Sequence, residues 1–468
     1  FWLWDRCDRP GAAFRIGWLA GVGYFALSLH WIVEPFLVDL GRHGWMAPFA
    51  LILMSGGLAL FWAVPFSLAR VLRRPRSPQW AALTLFVTLW TLGEYGRSTL
   101  LSGFPWVLLA HGWIDTPVAQ TAAFVGPHGL GALTLLAGTL PALATWRAGA
   151  LALAMVAAAW GFGALRLSTS LPERAEQVRV RIVQPNAEQH LKWLPQMQSV
   201  FYARQLEATR APAEQRPDVT IWPETAVGYV LGYSGNMLGE VAAAAAPDGL
   251  VILGLRRLEV VDDAERWYNS LTVLRPDGVP WAVYDKHHLV PFGEYIPLAG
   301  AIGGLGLPQL TTLTSTGFAA GPGPHLVKVP GLPPFLPLIC YEAIFPGGMR
   351  AAEGRPEWLV QVTNDAWFGR VSGPYQHLSQ ARMRTIEQGV PMARSANTGI
   401  SAMIGPRGEV LSSLPLGTAG FLDEDLPGVL SRPPYARFGD WPVLAALIIV
   451  LGLTVLNLSN RFLDRPQR

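Results

Sequence analysis

Cysteine is nearly missing from this chain of 468 residues, which has only Cys7 and Cys340. Cys7 lies among Arg6, Asp8 and Arg9 near the start. A disulfide-stapled scaffold is therefore excluded, and the spacing gives no support for a bond between the two thiols. Lysine is almost as scarce: Lys192, Lys286 and Lys328 are the only three among 36 basic residues. Charge of both signs is thin, at 15% of residues against 51% hydrophobic ones, with a net charge of +3. That balance is too apolar for an ordinary soluble enzyme and implies a membrane protein. No basic block calls for nucleic acid, because the arginines already fall where membrane topology and anionic lipid would place them. No cluster of Cys, His and Asp has metal-ligand spacing; adjacent His287 and His288 point in different directions on a strand. Neither a metal nor a cofactor is expected.

Long apolar runs are what the chain has in excess. Phe14–Ile32, Trp45–Leu72, Trp80–Tyr95, Val118–Trp146, Leu151–Leu167 and Trp441–Leu458 each approach or exceed the roughly 17–25 residues that cross a bilayer core. The sequence thus predicts a helical membrane domain over residues 1–170, a globular domain over 171–433, and a last spanning helix with its tail over 434–468. The chain starts at Phe1 without an initiator Met, and Phe1-Trp2-Leu3-Trp4 reads as the end of an apolar segment, so upstream helices are expected. Arg6, Arg9 and Arg15, then Arg70, Arg73, Arg74 and Arg76, then Arg147, then Arg461, Arg465 and Arg468 alternate onto one face. The opposite loops carry only Arg42 and Arg97. Basic residues close to helix ends stay in the cytoplasm, which puts the globular domain outside it.

Polar groups among the apolar runs are costly and often functional, and Glu94, Arg97, His111 and His128 are such groups. A simpler alternative has Glu94 and Arg97 at a helix end reaching the interface. The aromatics of Gly103-Phe104-Pro105-Trp106 are expected in an outer loop at headgroup level.

The middle of the chain alternates short apolar strands with polar turns. Strands are expected at Val178–Gln184, Val219–Trp222, Leu250–Leu255, Tyr268–Leu274, Val279–Tyr284, Pro334–Ile339 and Trp358–Thr363. Pro276-Asp277-Gly278 marks a hairpin turn, helices read at Gln196–Ala211 and Tyr375–Gly389, and Ile400–Ile404 with Glu409–Leu414 reads as a closing hairpin. Many strands with interspersed helices imply an α/β or α+β sandwich.

Three polar residues each follow one of these strands: Glu224, Lys286 and Cys340. Alone, each has an ordinary explanation, a surface ion pair for the first two and a small core residue for the thiol. Together they are a base, a cation and a nucleophile that a layered fold could gather at one rim. A thiolate is the attacking species, and a carboxylate to take its proton together with a nearby ammonium would raise its useful fraction. A compact ammonium also suits an oxyanion in a tight pocket.

Trp222-Pro223-Glu224, Asp285-Lys286 with Pro291-Phe292-Gly293-Glu294, and Cys340-Tyr341-Glu342 resemble the Glu-Lys-Cys motifs of the nitrilase, or carbon-nitrogen hydrolase, superfamily. The membrane runs, with Gln184-Pro185-Asn186, Lys192-Trp193, His287 to Tyr295 and Asn364 to Gly369, narrow the resemblance to the apolipoprotein N-acyltransferases. That family typically has eight spanning helices, and six are read here. The resemblance implies a multi-span α-helical membrane domain plus an extracytoplasmic α/β nitrilase-like domain, an αββα sandwich. It implies a bacterial inner-membrane enzyme, catalytic domain on the periplasmic side, acting as a monomer. Cys340 would take an acyl chain from a phospholipid, phosphatidylethanolamine by expectation, and pass it to the amine of diacylglyceryl-cysteine on an apolipoprotein. Glu224 would be the base and Lys286 the oxyanion cation, with Glu294, Tyr341 and Glu342 supporting them. Trp193 and Trp367 match aromatic positions near the family's pocket, with plain core packing as the alternative.

Two apolar stretches, Val227–Tyr233 and Ile296–Leu313, read either as arms that touch a bilayer or as buried core. A membrane-tethered amidase that releases its acyl group to water uses the same triad. A non-enzymatic scaffold or transporter is the reading from another class, and it has no need of Cys340.

Overall fold

A computed structural model describes residues 1–75, 77–297 and 317–463. Arg76, Arg465, Arg468 and the greater part of the expected Ile296–Leu313 arm lie outside the described residues. The chain divides into two compact units, one of Phe1–Ser170 with Ile386–Gln388 and Arg432–Arg468, the other of Leu171–Thr385 with Gly389–Ser431.

The first unit is helical. Among the described residues three helices are long and apolar enough to cross a membrane, Leu40–Leu72, Pro117–Leu143 and Trp146–Ser168. A fourth arises if Pro10–Ser28 and His30–Leu37, bent by 65° at their junction, are one span. This is fewer than the six runs read from hydropathy. Trp80–Tyr95 falls in a 21-residue helix, Gln79–Thr99, but that helix is diluted by polar residues and buries most of its length. The described apolar part of the last helix, Trp441–Asn457, is short. Small residues allow close approach inside the bundle: a Cβ on Gly21 would stand 2.8 Å from the Cβ of Ala59.

Glu94 and Arg97 are buried near the end of the helix Gln79–Thr99. They form a buried, two-pronged pair, Arg97 Nε to Glu94 Oε1 at 3.1 Å and Nη2 to Oε2 at 2.6 Å. Trp62 Nε1 donates to the same carboxylate, and Arg97 Nη1 donates to the carbonyls of Phe104 and Trp106. Trp106 is fully buried and packs on Trp31, so its ring faces protein. In hydrocarbon every such group must be satisfied internally, and here the pair does so by tying a helix to the loop after it. His128 bridges Asp440 at 2.8 Å and Ser98 at 3.0 Å. Arg73 pairs with Asp5 and Arg70 contacts the carbonyl of Asp8, so two of the basic loops lie side by side.

The second unit is a two-sheet sandwich. Its first sheet contains β1 (Arg179–Gln184), β2 (Val219–Ile221), β3 (Val230–Leu231), β4 (Leu250–Val261), β5 (Ala264–Leu274) and β6 (Pro280–Asp285). The second contains β7 (Phe335–Ile339), β8 (Trp358–Thr363), β9 (Met392–Ala396), β10 (Ser401–Ile404) and β11 (Val410–Leu414). A last strand, β12 (Gly420–Asp425), returns to the first sheet. The orders are β12-β1-β2-β4-β5-β6, with β3 alongside β4, and β11-β10-β9-β8-β7. The pairs β1–β2, β2–β4, β7–β8 and β8–β9 are parallel, which aligns the carboxyl ends of these strands.

Period-two alternation builds the layers. Val180, Ile182, Val219, Ile221 and Ile252 of the first sheet meet Phe335, Ile339, Val360 and Val362 of the second in one core. The opposite faces bury Val183, Val251 and Leu253 beneath the helices Pro195–Arg210 and Met237–Ala244, and Leu336, Leu338 and Leu359 beneath Gly373–Gln388. The result is the expected αββα order. Each such side chain, fully buried, contributes roughly 1.5–3 kcal/mol. The hairpin of β5 and β6 turns at Gly278, whose φ of +80° needs no Cβ.

Candidate active site

Each strand that carries a predicted functional residue ends at the same rim. Pro223 cannot donate to a sheet ladder, and β2 stops just before it and presents Glu224, which is buried. β6 is followed directly by Lys286, 1% exposed. Cys340 follows β7 with φ +50°, a left-handed conformation that a non-glycine residue holds only when its surroundings over-determine it. A short 3-10 turn, Cys340–Ile344, then leads away.

Asn269, an interior polar residue of β5, binds the acids together. Its Nδ2 donates to Glu224 Oε1 at 2.7 Å and to Glu294 Oε1 at 3.1 Å. Glu294 also takes the Lys286 ammonium, with Nζ at 2.9 Å from Oε1 and 2.8 Å from Oε2, and the backbone N–H of Val290 at 2.8 Å. The second oxygen of Glu224 accepts the backbone N–H of Asn364 at 2.9 Å. Its backbone carbonyl accepts Lys192 Nζ at 3.3 Å.

The charges act on one another. Burial pushes the Cys340 thiol up and Glu224 pushes it further, while Lys286 pulls it back, so the resting group is a thiol rather than a thiolate. Burial by itself would lower the Lys286 ammonium, but Glu294, Glu224 and Cys340 hold it well above its ordinary range. Burial lowers Lys192 to about 8, with Glu224 opposing. A buried acid, a fixed cation and a protonated thiol can share one reacting carbon.

Of the other expected residues, Glu294 is held on Lys286, while Glu342 is elsewhere occupied. Its Oε1 accepts the backbone N–H of His287 at 2.8 Å and pairs with the His287 ring, and its Oε2 accepts the N–H of Ile339 at 2.8 Å. Tyr284 donates to both oxygens at 3.2 Å. Glu342 therefore clamps the chain after β6 to the turn after β7. Its supporting role, as far as these bonds go, is to hold those two segments together. Tyr341 is buried, its ring 5.0 Å from Phe345 and 5.8 Å from His288. Trp193 (42% exposed) and Trp367 (38% exposed) are not core residues. They sit one residue from Lys192 and three from Asn364, both of which bind Glu224. Of the first apolar stretch, Val227 is buried while Tyr229 and Tyr233 face outward, so it is neither wholly core nor wholly free.

Asn269 was not singled out in the sequence, and Lys192 and Asn364 entered only as parts of motifs, without a role at Glu224. The legible signal was an asparagine at the buried centre of an apolar strand, in Tyr268-Asn269-Ser270.

Residues 1–140 match the family described as the apolipoprotein N-acyltransferase N-terminal domain, and residues 179–430 match the carbon-nitrogen hydrolase family. The apolipoprotein N-acyltransferase of Rhodopseudomonas palustris is 39% identical over 480 residues, covering 97% of this chain and 88% of that protein. That of Bradyrhizobium diazoefficiens is 40% identical over 465 residues, 95% of this chain and 86% of that protein. A solved CN-hydrolase superfamily protein from Xanthomonas campestris aligns with a TM-score of 0.39 at 20% identity, over 54% of this chain and 91% of its own. With both family matches adjoining in one chain and close to 40% identity over nearly all of it, the chain belongs to the apolipoprotein N-acyltransferase family, membrane-embedded enzymes of the nitrilase superfamily.

Proposed function

We propose that the protein moves an acyl chain from a phospholipid to the amino group of a diacylglyceryl-cysteine on an apolipoprotein, through a thioester on Cys340. The observation that carries this reading is the hydrogen-bonded line Glu224–Asn269–Glu294–Lys286 beside the buried thiol. In the first half, Glu224 takes the thiol proton and sulfur attacks the ester carbonyl. Lys286 stabilises the oxyanion, the ester C–O bond breaks, and Glu224 returns the proton to the departing lysophospholipid oxygen. In the second half the acceptor amine attacks the thioester, its proton passes to Glu224, and the C–S bond breaks to restore the thiol. Glu294 keeps the ammonium in place throughout. The exposed Trp193 and Trp367 rings offer apolar surface for acyl chains at the mouth.

The test uses purified protein in mixed micelles with phosphatidylethanolamine as donor. Acyl mass should accumulate on Cys340 and move to a diacylglyceryl peptide when it is added. Loss of the acyl mass to water at the same rate with and without the peptide would instead favour a tethered amidase.

The reading places the catalytic unit on the periplasmic side of the inner membrane. A reporter active only outside the cytoplasm is expected to work when fused within residues 180–430 and to fail when fused after Arg468; the reverse pattern would remove the lipoprotein acceptor.

Gly254 supplies a remote check. It lies on β4 behind Glu224, and a Cβ there would stand 2.7 Å from Glu224 Cα and 2.7 Å from Pro223 O, backbone atoms that cannot swing aside. Gly254→Ala should displace the carboxylate and lower transfer by about 10²-fold, since a shift near 1 Å costs that much. Assay of folded variant protein decides it, and unchanged turnover would separate Glu224 from the chemistry.

A further inference from the structure

Behind Cys340 lies a second polar cluster that none of the roles above uses. Gln361, Thr363, Asp365, His377 and Arg394 are all fully buried. Arg394 binds Asp365 and also donates to Gln361 Oε1. That second bond fixes the Gln361 amide with Nε2 toward the Cys340 carbonyl, 3.3 Å away. His377 Nδ1 is 2.8 Å from Asp365 Oδ1, and its Nε2 is 3.2 Å from the Cys340 carbonyl. Burial would raise the Asp365 carboxyl, but Arg394 and His377 hold it below its ordinary range. An ionised carboxylate only accepts, so the Thr363 hydroxyl, 2.8 Å from Oδ1, donates to it.

Thr363 also reaches the nucleophile. In the parallel register Ile339 lies beside Val362, so the next residue on each strand is Cys340 and Thr363. That register, with the His377 ring touching both the Cys340 carbonyl and Asp365, sets the Thr363 hydroxyl beside the Cys340 sulfur, where it favours the thiolate.

We propose that Thr363 is a further catalytic residue: its hydroxyl accepts from the resting thiol while donating to Asp365, then turns its hydrogen onto the sulfur when the thiolate forms. The thiol proton goes to Glu224, and the hydroxyl only rotates. Asp365 keeps Arg394 and His377 as partners in both states, so releasing Thr363 leaves no bare charge. Gln361 and His377 are positioning residues that hold the Cys340 carbonyl, and with it the left-handed backbone. The inference rests on Cys340 being the nucleophile.

The test compares Thr363→Val, which keeps the shape without the hydroxyl, with Thr363→Ser and Thr363→Ala. All are made in full-length protein in a Cys7→Ala background. Two quantities are read: thioester formation from phosphatidylethanolamine in mixed micelles, and the pH profile of Cys340 alkylation by iodoacetamide. Glu224, Lys286 and Asp365 face the thiol, and His377 and Arg394 face Asp365; all are unchanged, so a displaced profile reports the hydroxyl. Valine and alanine should each slow thioester formation by about tenfold or more and move the alkylation profile up by about one pH unit, with serine within about threefold of the parent. Alanine decides the matter if valine does not fold. Parental rate and profile in the hydroxyl-free variants, or serine as slow as valine, would overturn the role of Thr363 alone. A parent that acquires no acyl mass on Cys340 would overturn the nucleophile assignment with it.

Discussion

Cys340→Ala is expected to abolish acyl-enzyme formation and transfer together, with the variant still folded in the membrane. The structural work at this position is done by the backbone: the carbonyl of Cys340 receives Gln361 and His377, and an alanine carbonyl receives them equally well. Alanine also adopts the left-handed φ no worse than cysteine does. What is lost is the sulfur, and nothing else in the cluster can replace it. Glu224 is committed to Asn269 and Asn364, and Lys286 to Glu294. Cys340→Ser should fail almost as fully, because a hydroxyl is far less acidic than a thiol and the buried site already disfavours the anion. Intact-protein mass spectrometry after mixing with phospholipid reads the first half-reaction, and transfer to a diacylglyceryl peptide reads the second. Substantial transfer by the alanine variant would end the nucleophile assignment.

The three catalytic candidates were legible because each follows an apolar strand directly, and strand ends are where a sandwich exposes side chains to a shared rim. Strand existence was legible for the same reason, since two-residue alternation follows from the pleat. Boundaries failed where a hairpin outruns the core. β4 and β5 continue past Leu255 through charged Arg256, Arg257 and Glu259, turning at Asp262 and Asp263, and only the paired backbone keeps them extended. β9 and β12 were missed because Arg394 and Ser395 in one, and Asp423 and Glu424 in the other, break any apolar pattern. Arg394 is buried by its partners Asp365 and Gln361, which stand far off in sequence. The same limit hid the role of Glu342: the motif places it beside the nucleophile, but its partners on the β6 side, Tyr284, His287 and His288, come from another sheet's edge. In the helical unit the Trp80–Tyr95 run does lie in one helix, Gln79–Thr99, but its partners, other helices and the Glu94–Arg97 pair, could not be read from hydropathy.

Glu224→Gln and Lys286→Met should both stop turnover, but at different points and with different pH behaviour. Glutamine keeps one acceptor oxygen for Asn269 or Asn364 and removes the base, so the thioester should fail to accumulate near neutral pH. Removing the negative charge of Glu224 also removes a cause of the raised Cys340 thiol, whose folded-state pKa should then fall. The residual acylation of Glu224→Gln should therefore climb with pH, by close to tenfold per unit while the thiol remains mostly protonated, because it depends on thiolate formed without a base. Normal accumulation in Glu224→Gln would eliminate Glu224 as the base. Lys286→Met acts on both half-reactions by weakening the oxyanion site, and loss of one such donor costs about 2.7–4 kcal/mol, or 10²–10³-fold. It also strands Glu294, a largely buried carboxylate, and breaking a buried pair costs about 3–5 kcal/mol of stability. The double variant Lys286→Met with Glu294→Gln removes both charges and separates the two effects. It should recover thermal stability relative to Lys286→Met while transfer stays lost. Lys286→Arg should not restore transfer, because a planar guanidinium is wider than an ammonium and the position is 1% exposed. Recovery of both stability and transfer in the double variant would reduce Lys286 to a structural partner of Glu294.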